Sequence, residues 1–273
     1  DGLVYVTATE VNTYSNQSAA FFTAQGGKMD ISEAIGSSNG QASPLFYSSG
    51  TLNGYRCHMS SAKWTIGNVD GGTLTLDKNK LTSGGICGFL LYNVNVKEGL
   101  GILNLSNNKI TVNEGPVFLV TNTQDAAINL TGNKIKSKDG ELLSVRADDW
   151  GEKGRNGGHV SMFVGKQSLT GDISVDSISG LYLELKGGSK LTGQINAREN
   201  RCATVQVKLN AKSTWVSKGD SYLTSIVFEQ PVEKAVKSLK GKHTIYYDPS
   251  DPANAPLGGK EYKTGGGRLC PLK

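Results

Sequence analysis

Proline is scarce in this chain, 7 of 273 residues, and aromatic side chains make up only 7%, while glycine reaches 35. That balance argues against a helical bundle and suits many tight turns between short strands. No apolar run approaches the roughly 18 residues needed to cross a bilayer as a helix, so no transmembrane segment is expected. The chain opens at Asp1-Gly-Leu without a charged, then apolar, then small-residue leader, which fits either a cytosolic protein or a mature, trimmed form. The formal charge of +5 is not gathered into Lys/Arg blocks interleaved with aromatics, which argues against nucleic acid as a partner. Histidines are few and far apart, at His58, His159 and His243, without metal-ligand spacing. Cys57, Cys87, Cys202 and Cys270 fit no zinc pattern, so neither a metal nor a cofactor is implied. A Gly-x-Ser-x-Gly elbow is also missing. With 37% hydrophobic and 19% charged residues, the chain is nonetheless too apolar to be disordered.

What the sequence does contain is one phrase that returns: Leu74-Thr-Leu-Asp-Lys-Asn-Lys-Leu81, Leu103-Asn-Leu-Ser-Asn-Asn-Lys-Ile110 and Ile128-Asn-Leu-Thr-Gly-Asn-Lys-Ile135. The copies begin 29 and then 25 residues apart, a distance that suits one circuit of a solenoid. Aliphatic residues alternate with Thr75, Asn104 or Asn129, the period of a strand with one face buried. Such a segment cannot bury its apolar face alone and must stack on a copy of itself. The expected fold is therefore all-β, a single-stranded right-handed parallel β-helix over residues 1–226, with a C-terminal capping extension over 227–273.

Asn79, Asn108 and Asn133 recur at one place in the phrase. Either they form a buried ladder of side-chain amides, or they sit at an exposed corner where Asn tolerates left-handed backbone. Further echoes tie Phe22 to Tyr47, 25 residues apart, and Leu183–Leu191 to Val207–Trp215, 24 apart, so that the rhythm runs from near residue 18 to near residue 220. The cysteines can pair in three ways. Cys57 with Cys87 is favoured because 30 residues is close to one circuit, with isolated buried thiols as the alternative. Two stretches break the rhythm: Arg146 to His159, read as a loop thrown out from one coil, and the tail from about Val227, read as a cover for the last strand edge.

The run Ser168-Leu-Thr-Gly-Asp-Ile-Ser-Val-Asp-Ser-Ile-Ser-Gly-Leu-Tyr-Leu183, the turn Gly188-Ser-Lys-Leu-Thr-Gly193, Ser213-Thr-Trp215 and Gly219-Asp-Ser-Tyr-Leu223 resemble bacterial right-handed parallel β-helix proteins described as adhesin-like or hypothetical surface proteins. The tail, with Ile245-Tyr-Tyr-Asp248, Leu257-Gly-Gly-Lys-Glu-Tyr262 and Gly265-Gly-Gly267, is similar to that family's ending. The resemblance implies a fold related in shape to pectate lyases and autotransporter passengers, and an exported, secreted or surface-attached protein whose leader has been removed. It implies no catalytic residues.

Candidate chemistry is sparse. Arg146, Asp148, Asp149, Glu152, Arg155 and His159 form the densest charged cluster, the type of set that cleavage of acidic polysaccharides would need. Adjacent Asp148 and Asp149 would point to opposite sides of a strand, so only loop geometry could converge them. Lys80, Lys109 and Lys134 are expected to form an outward column with about 5 Å between coils, repelling by roughly 0.8 kcal/mol per neighbouring pair even in water. A bound anionic glycan would offset that repulsion. Tyr182 and Trp150 could stack on sugar rings. The sequons at Asn16, Asn104 and Asn129 are read as coincidental. These features favour an adhesin-like binding module that contacts a polysaccharide or a surface protein through a lateral face or loop. A polysaccharide lyase or hydrolase centred on the charged loop and a ligand-free structural stalk are the alternatives.

Overall fold

The three copies of the repeated phrase lie directly over one another. Thr73–Asp77 pairs in parallel with Gly101–Ser106, which pairs with Thr123–Thr131, so Leu74, Leu103 and Ile128 share one inward column and Leu76, Leu105 and Leu130 another. The first column continues through Met162, Leu183, Val207 and Ile226, and none of these side chains is more than 1% exposed. Each burial contributes roughly 1.5–3 kcal/mol, and a slip of one residue would turn a whole strand's apolar set to water, which is why the register holds.

This computed structural model describes residues 2–94, 99–197 and 203–273, leaving Cys202 outside. The chain forms a parallel β-solenoid of about 11 turns, nearly all β. A ten-stranded wall carries the columns just described. A six-stranded wall follows round the first corner, running from Glu10–Thr13 to Lys134–Ser137, and four more strands from Ser168–Thr170 to Leu239–Lys240 extend the solenoid. A seven-stranded wall, from Phe21–Thr23 to Asp172–Val175, closes the circuit, and a four-stranded sheet of later segments follows it. Among the described residues no helix is long and apolar enough to cross a membrane.

The first corner explains the asparagines. At each coil one residue takes left-handed backbone, Lys78 (φ 57°), Asn107 (φ 56°) and Gly132 (φ 68°), and the recurrent Asn is the residue after it. Asn79, Asn108 and Asn133 therefore point inward and are buried. The Asn79 N–H and side-chain amide both donate to Asn108 Oδ1, at 2.9 and 3.0 Å, and Asn108 repeats this toward Asn133 Oδ1, at 3.0 Å each. Asn133 does the same toward Gln167 Oε1, and Asn79 Oδ1 accepts from the Cys57 N–H at 2.7 Å. The remaining amide hydrogens satisfy the carbonyls of Gly54, Leu76 and Leu105. Successive rungs are 22, 29, 25 and 34 residues apart. Circuit length thus varies while the corner stays constant.

That variation corrects the cysteine pairing. Cys57 sits in the asparagine corner one coil before Asn79, whereas Cys87 lies beyond the six-stranded wall, just ahead of Phe89–Tyr92. Thirty residues carry the chain past one full circuit of 22, so the two thiols occupy different corners; both are free and buried.

Inside the seven-stranded wall, Phe21 stacks on Phe46 and Phe89 on Phe118, each with centroids 5.8 Å apart. Gly67 lies between the two pairs in register, and a Cβ there would come within 2.6 Å of Leu74 and 3.1 Å of the Phe89 ring. Only glycine leaves the rings room. At the C-terminal end the tail adds strands to the walls: Leu239–Lys240 and Thr244–Tyr247 pair in parallel with earlier coils before Tyr262–Lys263 turns antiparallel to Arg268–Pro271. Asn254 ties the tail down, accepting from the Ile226 N–H and donating to the Thr224 carbonyl. At the opposite end Val4, which continues the column of Leu74, Leu52 and Met29, is 48% exposed, so the apolar shaft meets solvent there.

Candidate functional site

In the seven-stranded wall, unlike a half-buried strand, several outward residues are apolar as well as the inward ones. Phe22, Tyr47, Asn68, Leu90 and Leu119 follow one another in register on its outer side, with Asp70 and Tyr92 paired two positions further on. Leu90 and Leu119 are buried although they point outward, because residues 146–157 fold back over them. Cys87, Leu90, Tyr92 and Leu119 form a second, smaller hydrophobic cluster against which Trp150 and Tyr47 pack. Trp150 meets Tyr92 edge-on, with centroids 5.4 Å apart and planes at 61°.

The returning loop is pinned at several points. The Arg146 N–H donates to the Val120 carbonyl, the Ala147 N–H to Asp176 Oδ2 at 2.7 Å, and the Asn156 side-chain amide to the Asp148 carbonyl. Arg146 and Asp148 form an ion pair at 2.9 Å. Trp150 is thereby held as the end wall of a groove of about 750 Å³.

Five aromatic rings line that groove: Phe22, Tyr47, Trp64, Tyr92 and Trp150. Phe22 and Tyr47 lie 5.2 Å apart at 35°, forming a slanted platform, and Phe22 is 54% exposed. Gln17 and Asn68 supply amides, and Ala19, Ala42 and Pro44 complete the lining. Along the rim Gln17 (φ 54°) and Ala42 (φ 52°) hold left-handed backbone. The same conformation recurs at other turns of the solenoid, such as Glu33, Arg56, Lys78 and Asn107, and marks a turn between walls.

The floor is polar and ordered. Tyr92 Oη approaches Tyr47 Oη at 3.4 Å, and Tyr47 Oη donates to Asp70 Oδ2 at 2.7 Å. Asp70 is fully buried and also accepts from the Val94 N–H at 2.7 Å. Asn68 accepts from the Thr65 hydroxyl at 2.6 Å and hydrogen-bonds the Tyr92 hydroxyl. Burial pushes the Tyr47 phenol far above its ordinary value, with the Tyr92 hydrogen bond and the Asp70 charge adding to it. Burial, aided by Asp70, also raises Tyr92. Both phenols therefore stay protonated across the physiological range, as hydrogen-bonding groups and not as bases. The Trp64 Nε1–H is buried without a hydrogen-bond partner among the described residues.

Of the residues singled out from the sequence, Trp150 alone belongs to this groove. The charged cluster is split: Arg146 pairs with Asp148, exposed Glu152 pairs with Arg155 at 3.6 Å, Asp149 donates its N–H to Asp148 Oδ1, and Asp149 and Glu152 line a second groove of about 500 Å³ on the other side of Trp150. His159 is not in the loop, since the wall resumes with Gly158–Gly165 and sets it over Gly180. Tyr182 stands on the outer side of the ten-stranded wall against Phe163, 5.9 Å away. Lys80, Lys109 and Lys134 align in register on the six-stranded wall, exposed, with His58 continuing the column. Among the described residues no group of three or more His, Cys, Asp or Glu side chains is placed to hold a metal ion.

Phe22, Tyr47, Trp64, Asn68, Asp70 and Tyr92 were not singled out as site residues. For Phe22, Tyr47 and Tyr92 the signal lies in consecutive apolar pairs, Phe21-Phe22, Phe46-Tyr47 and Leu91-Tyr92, which mark strands covered on both faces; Trp64, Asn68 and Asp70 carry no such signal. No family model, curated protein or solved structure matches the chain.

Proposed function

We propose that this protein is an exported, adhesin-like binding module that holds a carbohydrate in the aromatic groove of its seven-stranded wall. The observation that carries this is the gathering of five aromatic rings with two amides along one groove on a rigid scaffold. Pyranose rings present apolar C–H faces and polar edges. Aromatic platforms take the faces, burying apolar area on a ring of fixed shape, and amides and hydroxyls take the edges. Binding is favoured over cleavage because, among the described residues, no carboxylate lines the aromatic groove, while Asp148 and Glu152 are engaged by Arg146 and Arg155 and the smaller groove that Asp149 and Glu152 line adjoins it beyond Trp150. Buried Asp70 is already occupied by Tyr47 and the Val94 N–H.

A glycan array followed by calorimetry tests this. Binding is expected, with a loss of about tenfold or more in affinity in Trp150→Ala and in Phe22→Ala. Polysaccharide depolymerisation by the purified protein, or glycan binding indifferent to both substitutions, would sink the assignment. Cell fractionation with a tagged chain tests export: recovery in the cytosol alone counts against it.

A further inference from the structure

We infer that the groove takes extended neutral oligosaccharides, lying along the rod axis, and excludes acidic ones; this rests on the groove being a carbohydrate site at all. The first ground is the lining. None of its ten residues is charged: five aromatics, two amides, two alanines and a proline. A uronate or sulfate placed there would give up its water with no cation to receive it, which carries a heavy penalty. A neutral sugar hydroxyl can exchange its water for the exposed Gln17 amide.

The second ground is the charge beneath the floor. Asp70 is wholly buried and acts through Tyr47 and Tyr92, whose phenols it helps hold protonated. Its negative field in a desolvated setting opposes a second anion nearby. Arg146, a cation on the loop that carries Trp150, is committed to Asp148 at 2.9 Å.

The third ground is shape. Phe22, Tyr47, Asn68 and the Leu90–Tyr92 strand belong to four successive coils. With coils about 4.8 Å apart, the platform runs roughly 15 Å parallel to the axis, longer than a single sugar ring. The column of Lys80, Lys109 and Lys134 is on another wall, so any attraction it exerts on polyanions is separate from this groove.

The test uses calorimetry with neutral hexasaccharides (gluco-, xylo- and manno-configured) and with hexagalacturonate, at low and at high salt. Expected are binding of at least one neutral hexamer, at least tenfold weaker binding of the corresponding monosaccharide, and little change with salt. That binding should fall about tenfold in Trp150→Ala and remain unchanged in a Lys80→Gln, Lys109→Gln, Lys134→Gln triple variant. Phe22→Ala, an exposed substitution, guards against misfolding of the Trp150 variant. Hexagalacturonate bound as tightly as the neutral hexamers, and lost in Trp150→Ala, would overturn the selectivity while leaving a carbohydrate site intact. Failure of every glycan, neutral or acidic, to bind would overturn the site itself and the selectivity with it.

Discussion

The six-stranded and seven-stranded walls are built by the same coils, a few residues apart in each circuit, yet their outer faces are opposites. On the six-stranded wall the strands alternate strictly: Leu81 and Ile110 point in, while Lys80, Thr82, Lys109 and Thr111 point out. On the seven-stranded wall Phe89–Tyr92 is buried throughout, because a loop from a later coil lies over it. Stacking dictates the inward columns of both walls. It leaves the outward columns unconstrained, so one became a solvated, cationic face and the other a roofed, uncharged groove. In this solenoid the aromatic groove forms where outward residues depart from the solvated pattern, and the inward ladder at the first corner holds successive coils in register.

The largest expected effect is at the first corner, where the ten-stranded wall turns into the six-stranded one and the coils are tied together. Asn108→Ala deletes the acceptor of the Asn79 N–H and the donor to the Leu76 carbonyl, leaving buried groups unpaired. A cost of about 2–5 kcal/mol is expected by denaturant unfolding. Lys109→Ala, one residue on but outward, should stay within about 0.5 kcal/mol. Equal effects would mean that the ladder does not hold the coils.

Next comes the floor of the groove. Tyr47→Phe removes the phenol that donates to Asp70 and should cost about 1–3 kcal/mol near neutral pH. It also tests the alkaline limb. The folded Tyr47 and Tyr92 phenols titrate above the unfolded value of about 10, so the stability they contribute is full below that value and is lost as pH climbs toward their folded values. Ultraviolet titration of the wild-type protein should show Tyr47 and Tyr92 silent until the fold is lost, together with wholly buried Tyr247, whose phenol burial also raises. Early ionisation of all ten tyrosines would contradict the buried floor.

The smallest effect belongs to the lysine face. No ion pair among the described residues involves Lys80, Lys109 or Lys134. Lys109→Gln should therefore stabilise the fold slightly at low salt, by no more than about 0.5 kcal/mol in all, fading as salt is raised. Destabilisation that grows at low salt would show that the column is compensated by acids.

The phrase repeated at Leu74, Leu103 and Ile128 made the architecture legible, because one strand's period and one circuit's spacing together leave a single way to bury the aliphatics. The asparagine position was legible as well, but not its direction: the left-handed turn falls on Lys78 and Asn107, the residues before, which swings Asn79 and Asn108 inward. Spacing alone misled for Cys57 and Cys87, since circuits of 22 and 29 residues share a corner but not a length. The groove was the least legible part. Phe22 and Tyr47 show their periodicity, but Trp64 and Trp150 join them only through loops that no local pattern aims.

Alternation, turn chemistry and repeat spacing are local properties of the chain, and by themselves they determined that it would coil, which residues would face the shaft, and that lysines would line one side. Only the tertiary structure decided that residues 146–157 return over the seven-stranded wall, that Trp150 closes a groove there, and that Asp70 is sealed beneath it. The physical reason is range: inward columns follow from each coil meeting its neighbour, whereas the roof depends on contacts between segments some 50 residues or more apart in the chain, such as Tyr92 with Trp150, and is settled only once the rod exists.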